Sequence, residues 1–291
     1  MSWTQEENGE TREVSIIPSL NIEEDFVDKC CDMIRRVAGP NLTYLKEQYV
    51  LIGTPCYGGS VTVEYMKSMH RLGRVFDRLG IRYYVRYYET ESLIQRARNA
   101  LMAEMYNKSF THLMFIDADI GFDPLYMVRL LLAKTPVIAG SYPMKKLNVR
   151  GILQADKDDD VRSVLIRTQP MVYTPLAGAN ADENGFLEVM AAPTGFMLIH
   201  KSVPHLLSKI CTPYIQNMPE YQNNVGTNRF FDFFKVYVCP KTNILLSEDY
   251  GFCMICRDND IPIMVDTMAT LSHTGRHTFM GNLDVYRSTV Q

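Results

Sequence analysis

The sequence holds no apolar run approaching the ~20 residues that a membrane-spanning helix needs. Its opening, MSWTQEENGETREVS, is polar and acidic and lacks the basic-then-apolar layout of a secretory signal. An excess of one charge is missing too: the formal net charge is -3, so there is no bulk attraction to nucleic acid or to an anionic membrane. Internal repeats and low-complexity tracts are absent. The seven cysteines, without a signal segment, are expected to be reduced thiols of an intracellular protein. Cys253 and Cys256 form a C-x-x-C, but no second C-x-x-C or close His pair completes a zinc site. One helical turn apart, the two are expected to behave as small core hydrophobes.

What the chain does have is 291 residues, 46% of them hydrophobic, enough for one large α/β domain or two small ones. Residues 48–54 (QYVLIGT) read as a buried strand, closed by Pro55 and Gly58-Gly59. Residues 61–79 carry apolar positions at helical spacing and stop at Gly80. A second strand over 81–88, a helix from a Ser92 cap to 107, a third strand over 111–116, a helix over 124–133 and a strand over 136–140 follow. Strand and helix in alternation predict a parallel sheet with right-handed crossovers.

Beyond residue 145 the pattern changes. Residues 149–155, 161–173 and 186–191 read as strands, with 156–160 an acidic turn between two of them. A strand over 195–200 leads to a helix from Ser202, and the Asn- and Gln-rich stretch 214–229 reads as a mobile loop. Residues 247–259 read as a helix and 263–266 as a last strand. The first 20 residues or so are expected to be a loose arm.

The strongest chemical signal is Phe115-Ile116-Asp117-Ala118-Asp119, two carboxylates standing where an apolar strand ends. Asp is a poor strand residue, and ligands of open α/β sheets bind beyond the carboxyl ends of the strands. A hard divalent cation would neutralise both acids and grip a diphosphate. The plainer alternative is that one Asp caps the next helix and the other is solvated.

These residues belong to a longer set: Arg98-Asn99, residues 111–122, Gly140-Ser141-Tyr142-Pro143, Thr194-Gly195-Phe196, Ser247-Glu248-Asp249-Tyr250 and Leu271-Ser272-His273. Together they resemble glycosyltransferases of the GT-A fold, notably those of viruses and bacteria. The resemblance spans residues 48 to about 280. It implies a Rossmann-like, mostly parallel central sheet flanked by helices, with a smaller mixed sheet on the acceptor side. The division it implies is an arm and lead-in helix over 1–45 and one domain over 46–285, whose halves are 46–145 for the nucleotide sugar and 146–285 for the acceptor and catalysis.

Residue by residue, the resemblance implies Asp119 as direct metal ligand, Asp117 at the donor ribose or the metal's water shell, and His273 as a further ligand. The cation would be Mn²⁺ or Mg²⁺. Thr54 and Pro55, at the end of the first strand, would hold base and ribose, and Glu89 would receive a base or ribose hydrogen bond. Arg98 and Asn99 are candidates for base or phosphate, and Lys145 and Arg276 for the diphosphate, each against the alternative of a solvated charge; Arg96 reads as a bystander. Ser247-Glu248-Asp249 resembles the x-Glu-Asp motif of inverting enzymes, with Asp249 as base and Glu248 at the acceptor. Structurally, Ser-Glu-Asp also suits the start of any helix, Ser247 capping it and the acids facing the helix dipole.

The function so implied is transfer of a sugar from a nucleotide-diphosphate donor to a hydroxyl of a glycan or protein-linked sugar acceptor, in the cytoplasm (the host's, for a viral source). Two other classes fit parts of the sequence. A phosphatase or phosphotransferase of the haloacid-dehalogenase type also places Asp-x-Asp after a strand, with the residue at Asp117 as nucleophile. A non-catalytic nucleotide-sugar-binding module would keep the fold alone.

Overall fold

A computed structural model describes residues 2–7, 10–15, 19–146, 148–154, 156 and 160–275. The chain runs β1 (Ser2–Glu7), β2 (Glu10–Ser15), α1 (Ser19–Ala38), α2 (Leu42–Glu47), β3 (Tyr49–Pro55), α3 (Val63–Leu79), β4 (Arg82–Tyr88), α4 (Ile94–Asn107) and β5 (His112–Ile116). Then come β6 (Ile120–Gly121), α5 (Pro124–Leu132), β7 (Val137–Gly140), α6 (Val149–Leu153), α7 (Val161–Thr168), β8 (Thr174–Pro175), β9 (Phe186–Ala191), β10 (Phe196–His200) and α8 (Ser202–Leu207). The last third holds β11 (Pro213–Ile215), α9 (Pro219–Val225), β12 (Arg229–Phe231), β13 (Tyr237–Val238), β14 (Leu245–Leu246), α10 (Glu248–Arg257), β15 (Ile263–Asp266) and β16 (Ser272–His273).

Eight strands form one sheet in the order β4-β3-β5-β10-β7-β15-β9-β8. Six of the eight point the same way, because only β10 and β9 run antiparallel to their neighbours on both sides. The architecture is therefore Rossmann-like α/β, mostly parallel and flanked by helices. Among the described residues the expected smaller mixed sheet does not form separately: β15, β9 and β8 continue this one, which becomes mixed there. Pattern alone gave no hint that β10, late in the sequence, inserts between β5 and β7.

The central strands are buried on both faces, as their continuous apolar runs require: every residue of β5 and of β7 is buried. One face packs α4, α8, α9 and α10 in a cluster with Phe115, Phe233, Phe234 and Phe252; the other packs α1, α3 and α5 around Val50, Ile52, Phe76 and Met114. Gly53 lets α4 approach β3, since a Cβ there would lie 2.7 Å from both methyls of Leu101. Gly80 ends α3 in the left-handed conformation, at φ 70°.

Four other expectations are corrected. Residues 149–153 and 161–168 are helices, not strands. Their Val and Ile content suggested β structure, but Asn148 caps Gly151 N at 3.1 Å and Asp160 caps Ser163 N at 3.0 Å, and local capping outweighs weak propensity. The acidic residues 157–159 lie outside the described set. The stretch 214–229 holds α9 between the paired β11 and β12, with Tyr221 buried and donating to Glu91 at 2.8 Å. Helix α4 starts without a side-chain cap; the Glu91 carboxylate, not Ser92, accepts from Leu93 N at 2.9 Å. The N-terminal arm forms an antiparallel β1–β2 pair.

At the sheet end remote from the strand C-termini, His112 stacks edge-on against His200 at 5.0 Å. Burial first, then the charges of His200 and Lys201, push the His112 imidazole down to about 3. The unfolded chain protonates near the ordinary histidine value of ~6.5, so acid favours unfolding. The contribution is whole above that value and is lost as pH falls from about 6.5 toward 3, by up to about 1.4 kcal/mol per pH unit. Urea denaturation at pH 7 and pH 5 should show a lower midpoint at pH 5, and His112→Asn should shrink that difference. Equal losses in both proteins would contradict the assignment.

Candidate active site

Asp117 and Asp119 stand just past the C-terminal end of β5, between the end of β3 and the segment that follows β7. There a cavity of about 530 Å³ is lined by Pro55, the loop from Cys56 to Thr62, Ile94, Asp117, Ala118, Asp119, Lys145, Thr274 and Gly275. Asp117 follows the last residue of β5 and donates its backbone N–H to Gly195 O at 2.9 Å. Gly195 has no room for a side chain: a Cβ would stand 2.7 Å from Asp117 Oδ2 and 2.5 Å from the Tyr142 hydroxyl.

His273 comes from 154 residues further on than Asp119 (273 − 119), and a short ladder brings it in. Strand β16 pairs antiparallel with β6, Ser272 opposite Gly121 and His273 opposite Ile120, and Thr274 N donates to Asp119 O at 2.9 Å. The imidazole packs edge-on against the buried Tyr142 ring at 4.9 Å.

His273 Nδ1 lies 2.8 Å from Pro143 O. A carbonyl only accepts, so Nδ1 carries the hydrogen, and Nε2 faces Asp119 Oδ1 at 3.6 Å, where it offers a lone pair when the ring is unprotonated. Two lone-pair donors facing across that gap suit a shared cation, and oxygen plus imidazole suits Mn²⁺ or Mg²⁺. Among the described residues no three His, Cys, Asp or Glu side chains converge into a metal cage. The protein's share would be Asp119 and His273, leaving positions for diphosphate oxygens and water, as Mg²⁺ sites commonly do. Lys145 Nζ donates to the other carboxylate oxygen, Asp119 Oδ2.

Asp117 does not join that pair directly. Its Oδ1 and Oδ2 accept from Arg98 Nη2 at 3.1 and 3.4 Å, and Arg98 Nε reaches Glu248 Oε1 at 3.4 Å. Arg98 is thus a buried bridge, 3% exposed, between the end of β5 and the start of α10, with its Nη1 hydrogen-bonded to nothing among the described residues. Burial alone would lower its affinity for the proton; the charges of Asp117 and then Glu248 outweigh it and hold the guanidinium above its ordinary value. Tyr142, beside this cluster, has its phenol raised by burial first and by Asp117 second.

Neighbouring helical residues point about 100° apart. Glu248 therefore turns to Arg98, while Asp249 Oδ1 accepts from Ser247 Oγ and from Tyr250 N at 2.8 Å. Ser247 stands at the N-cap position, but its hydroxyl serves Asp249 rather than the helix.

The remaining expected residues divide. Pro55 lines the cavity, whereas Thr54 is fully buried with its hydroxyl 2.7 Å from the Tyr65 hydroxyl. Glu89 is exposed just past β4, and its carbonyl accepts from Gly58 N at 3.0 Å. Asn99 faces the opposite way from Arg98, bonded to Asp232 at 2.9 Å and Phe234 N at 2.8 Å. Arg96 pairs with Glu91. Arg276 lies outside the described residues. Sequence reasoning gave no role to Tyr142, to Gly195 or to the Arg98–Glu248 contact, although the first two stand within motifs that carried the resemblance.

No protein-family model matches the sequence, and no curated protein matches it either. Solved structures similar to the chain include protein A197 from STIV, at 14% identity and TM-score 0.43, covering 79% of this chain and 86% of that one. Another is GalNAc-T7, solved with UDP, GalNAc and Mn²⁺, at 10% identity and TM-score 0.41, covering 81% of this chain and 44% of that one. At these scores neither likeness bears on what this chain does.

Proposed function

We propose that the chain is a metal-dependent glycosyltransferase, moving a sugar from a nucleoside-diphosphate sugar to an acceptor hydroxyl with inversion. The observation that supports this best is the convergence of His273 and Lys145 on Asp119 at the cavity wall, beside Asp117, which Arg98 joins to Glu248 at the start of α10. The resident cation would be Mn²⁺ or Mg²⁺ on Asp119 and His273, supplying Lewis-acid stabilisation of the leaving diphosphate.

The chain's own residues then have distinct tasks. Pro55 and the loop through Thr62 wall the side where base and ribose lie. Lys145 offers an ammonium to the diphosphate oxygens. Asp117, fixed by Arg98, faces the donor, and Glu248, fixed by the same guanidinium, orients the acceptor. Asp249 takes the proton from the acceptor hydroxyl as it attacks the anomeric carbon from the face opposite the diphosphate.

Turnover of a nucleotide-sugar panel should require Mn²⁺ and stop on addition of EDTA. His273→Ala leaves Asp119 and the diphosphate to hold the ion, so the folded variant should need more Mn²⁺ for half-maximal activity. Were His273 only a structural residue, its removal would cost about 0.5–1.5 kcal/mol of stability through the lost bond to Pro143 O and leave the metal requirement alone. Superimposable activity curves against Mn²⁺ for the two proteins would retire the ligand assignment.

A further inference from the structure

Asp119 already has a cation. Lys145 Nζ donates to Asp119 Oδ2, and the Lys145 side chain is 40% exposed. Its stem is guided to that point: at Gly275, any Cβ would stand 2.8 Å from Lys145 Cδ and 3.2 Å from Cγ. Gly275 follows Thr274, whose backbone N–H is bonded to Asp119 O at 2.9 Å, so the strand that delivers His273 also cradles the lysine. The ammonium thus neutralises the carboxylate that a divalent ion needs. Two cations on one carboxylate repel, and the repulsion is not fully screened in a cavity.

We propose that Lys145 is a resident counter-cation of Asp119 which competes with the metal, an inference that rests on the reading of Asp119 and His273 as ligands. In the absence of metal Lys145 keeps Asp119 neutralised and in place. When the ion arrives the ammonium must leave the carboxylate, and a donor diphosphate bound with the ion would offer it a new partner. Lys145 therefore weakens binding of the bare ion and favours joint binding of ion and nucleotide. A lysine with a merely structural role has the opposite signature, since its loss would loosen the site.

The test is a titration with Mn²⁺ alone, following the electron paramagnetic resonance signal of the free ion, for the wild type, Lys145→Met, Lys145→Gln and Asp119→Asn. Circular dichroism checks that each is folded. Both Lys145 variants should bind Mn²⁺ about threefold to tenfold more tightly than the wild type, the scale of a partly exposed charge pair. Adding Asp119→Asn to Lys145→Met should abolish the gain. Equal or weaker binding in both Lys145 variants, a gain that survives Asp119→Asn, or no Mn²⁺ binding by any of the four proteins would overturn the proposal. A parallel arm, the wild type with Mn²⁺ and each of UDP, GDP, ADP and CDP, separates the two levels. If the Lys145 variants fail the titration, metal-dependent nucleotide binding there keeps the ligand reading and sinks only the role of Lys145; its absence sinks both.

Discussion

Asp249→Asn should leave a folded protein that binds donor and has lost transfer, by on the order of 10²-fold or more in kcat, the scale of a positioned general base. The substitution keeps size and shape, and an amide oxygen can still accept from Ser247 Oγ and Tyr250 N. What it removes is the proton acceptor. The competing account makes Asp249 only a favourable charge in the first turn of α10, a contribution of about 0.3–1 kcal/mol to the helix. On that account the variant melts slightly earlier and turns over normally. Kinetics at saturating donor, set beside a melting curve, divide the two. Near-normal turnover would move the role to Glu248 or point to a retaining reaction.

The second large effect concerns the metal. Asp119→Ala should abolish Mn²⁺-dependent binding of nucleoside diphosphate in titration calorimetry, since it removes the carboxylate that faces His273 Nε2. Asp117→Ala should weaken binding less, and for another reason. Asp117 holds Arg98 rather than the His273 side of the cavity, so its loss leaves a buried guanidinium with Glu248 alone. Leaving that cation half-paired should cost about 1–3 kcal/mol of stability, visible as an earlier melt. Unchanged affinity in Asp119→Ala would remove the ligand assignment.

The first half of the fold was legible because β3, β5 and β7 are buried along nearly all their length and read as unbroken apolar runs, while Pro55 and Gly80 mark where β3 and α3 stop. The acids after β5 were legible for the same reason, since two carboxylates at the end of such a run stand out. The second half misled where short elements depend on a single cap: Asn148 and Asp160 decide for helix over segments whose Val and Ile content says strand. The place of β10 between β5 and β7 is a long-range pairing that no local pattern records. Among site residues, His273 was reached only through the resemblance, because a two-residue ladder with β6 carries it to Asp119. Asn99 shows the limit of such a carry-over: it adjoins Arg98 in sequence but helical rotation turns it to Asp232. The bridge from Asp117 through Arg98 to Glu248 links positions 117, 98 and 248, and only the folded chain brings them together.

The most direct measurement is ³¹P NMR of the protein with Mn²⁺, a panel of nucleotide sugars and a mixture of simple glycoside acceptors. Cleavage between the anomeric carbon and the diphosphate should release an intact nucleoside diphosphate, only when Mn²⁺ is present and not from Asp249→Asn. Release of inorganic phosphate from a generic phosphate ester, with every nucleotide sugar untouched, would contradict the account and return Asp117 to the role of a phosphotransferase nucleophile.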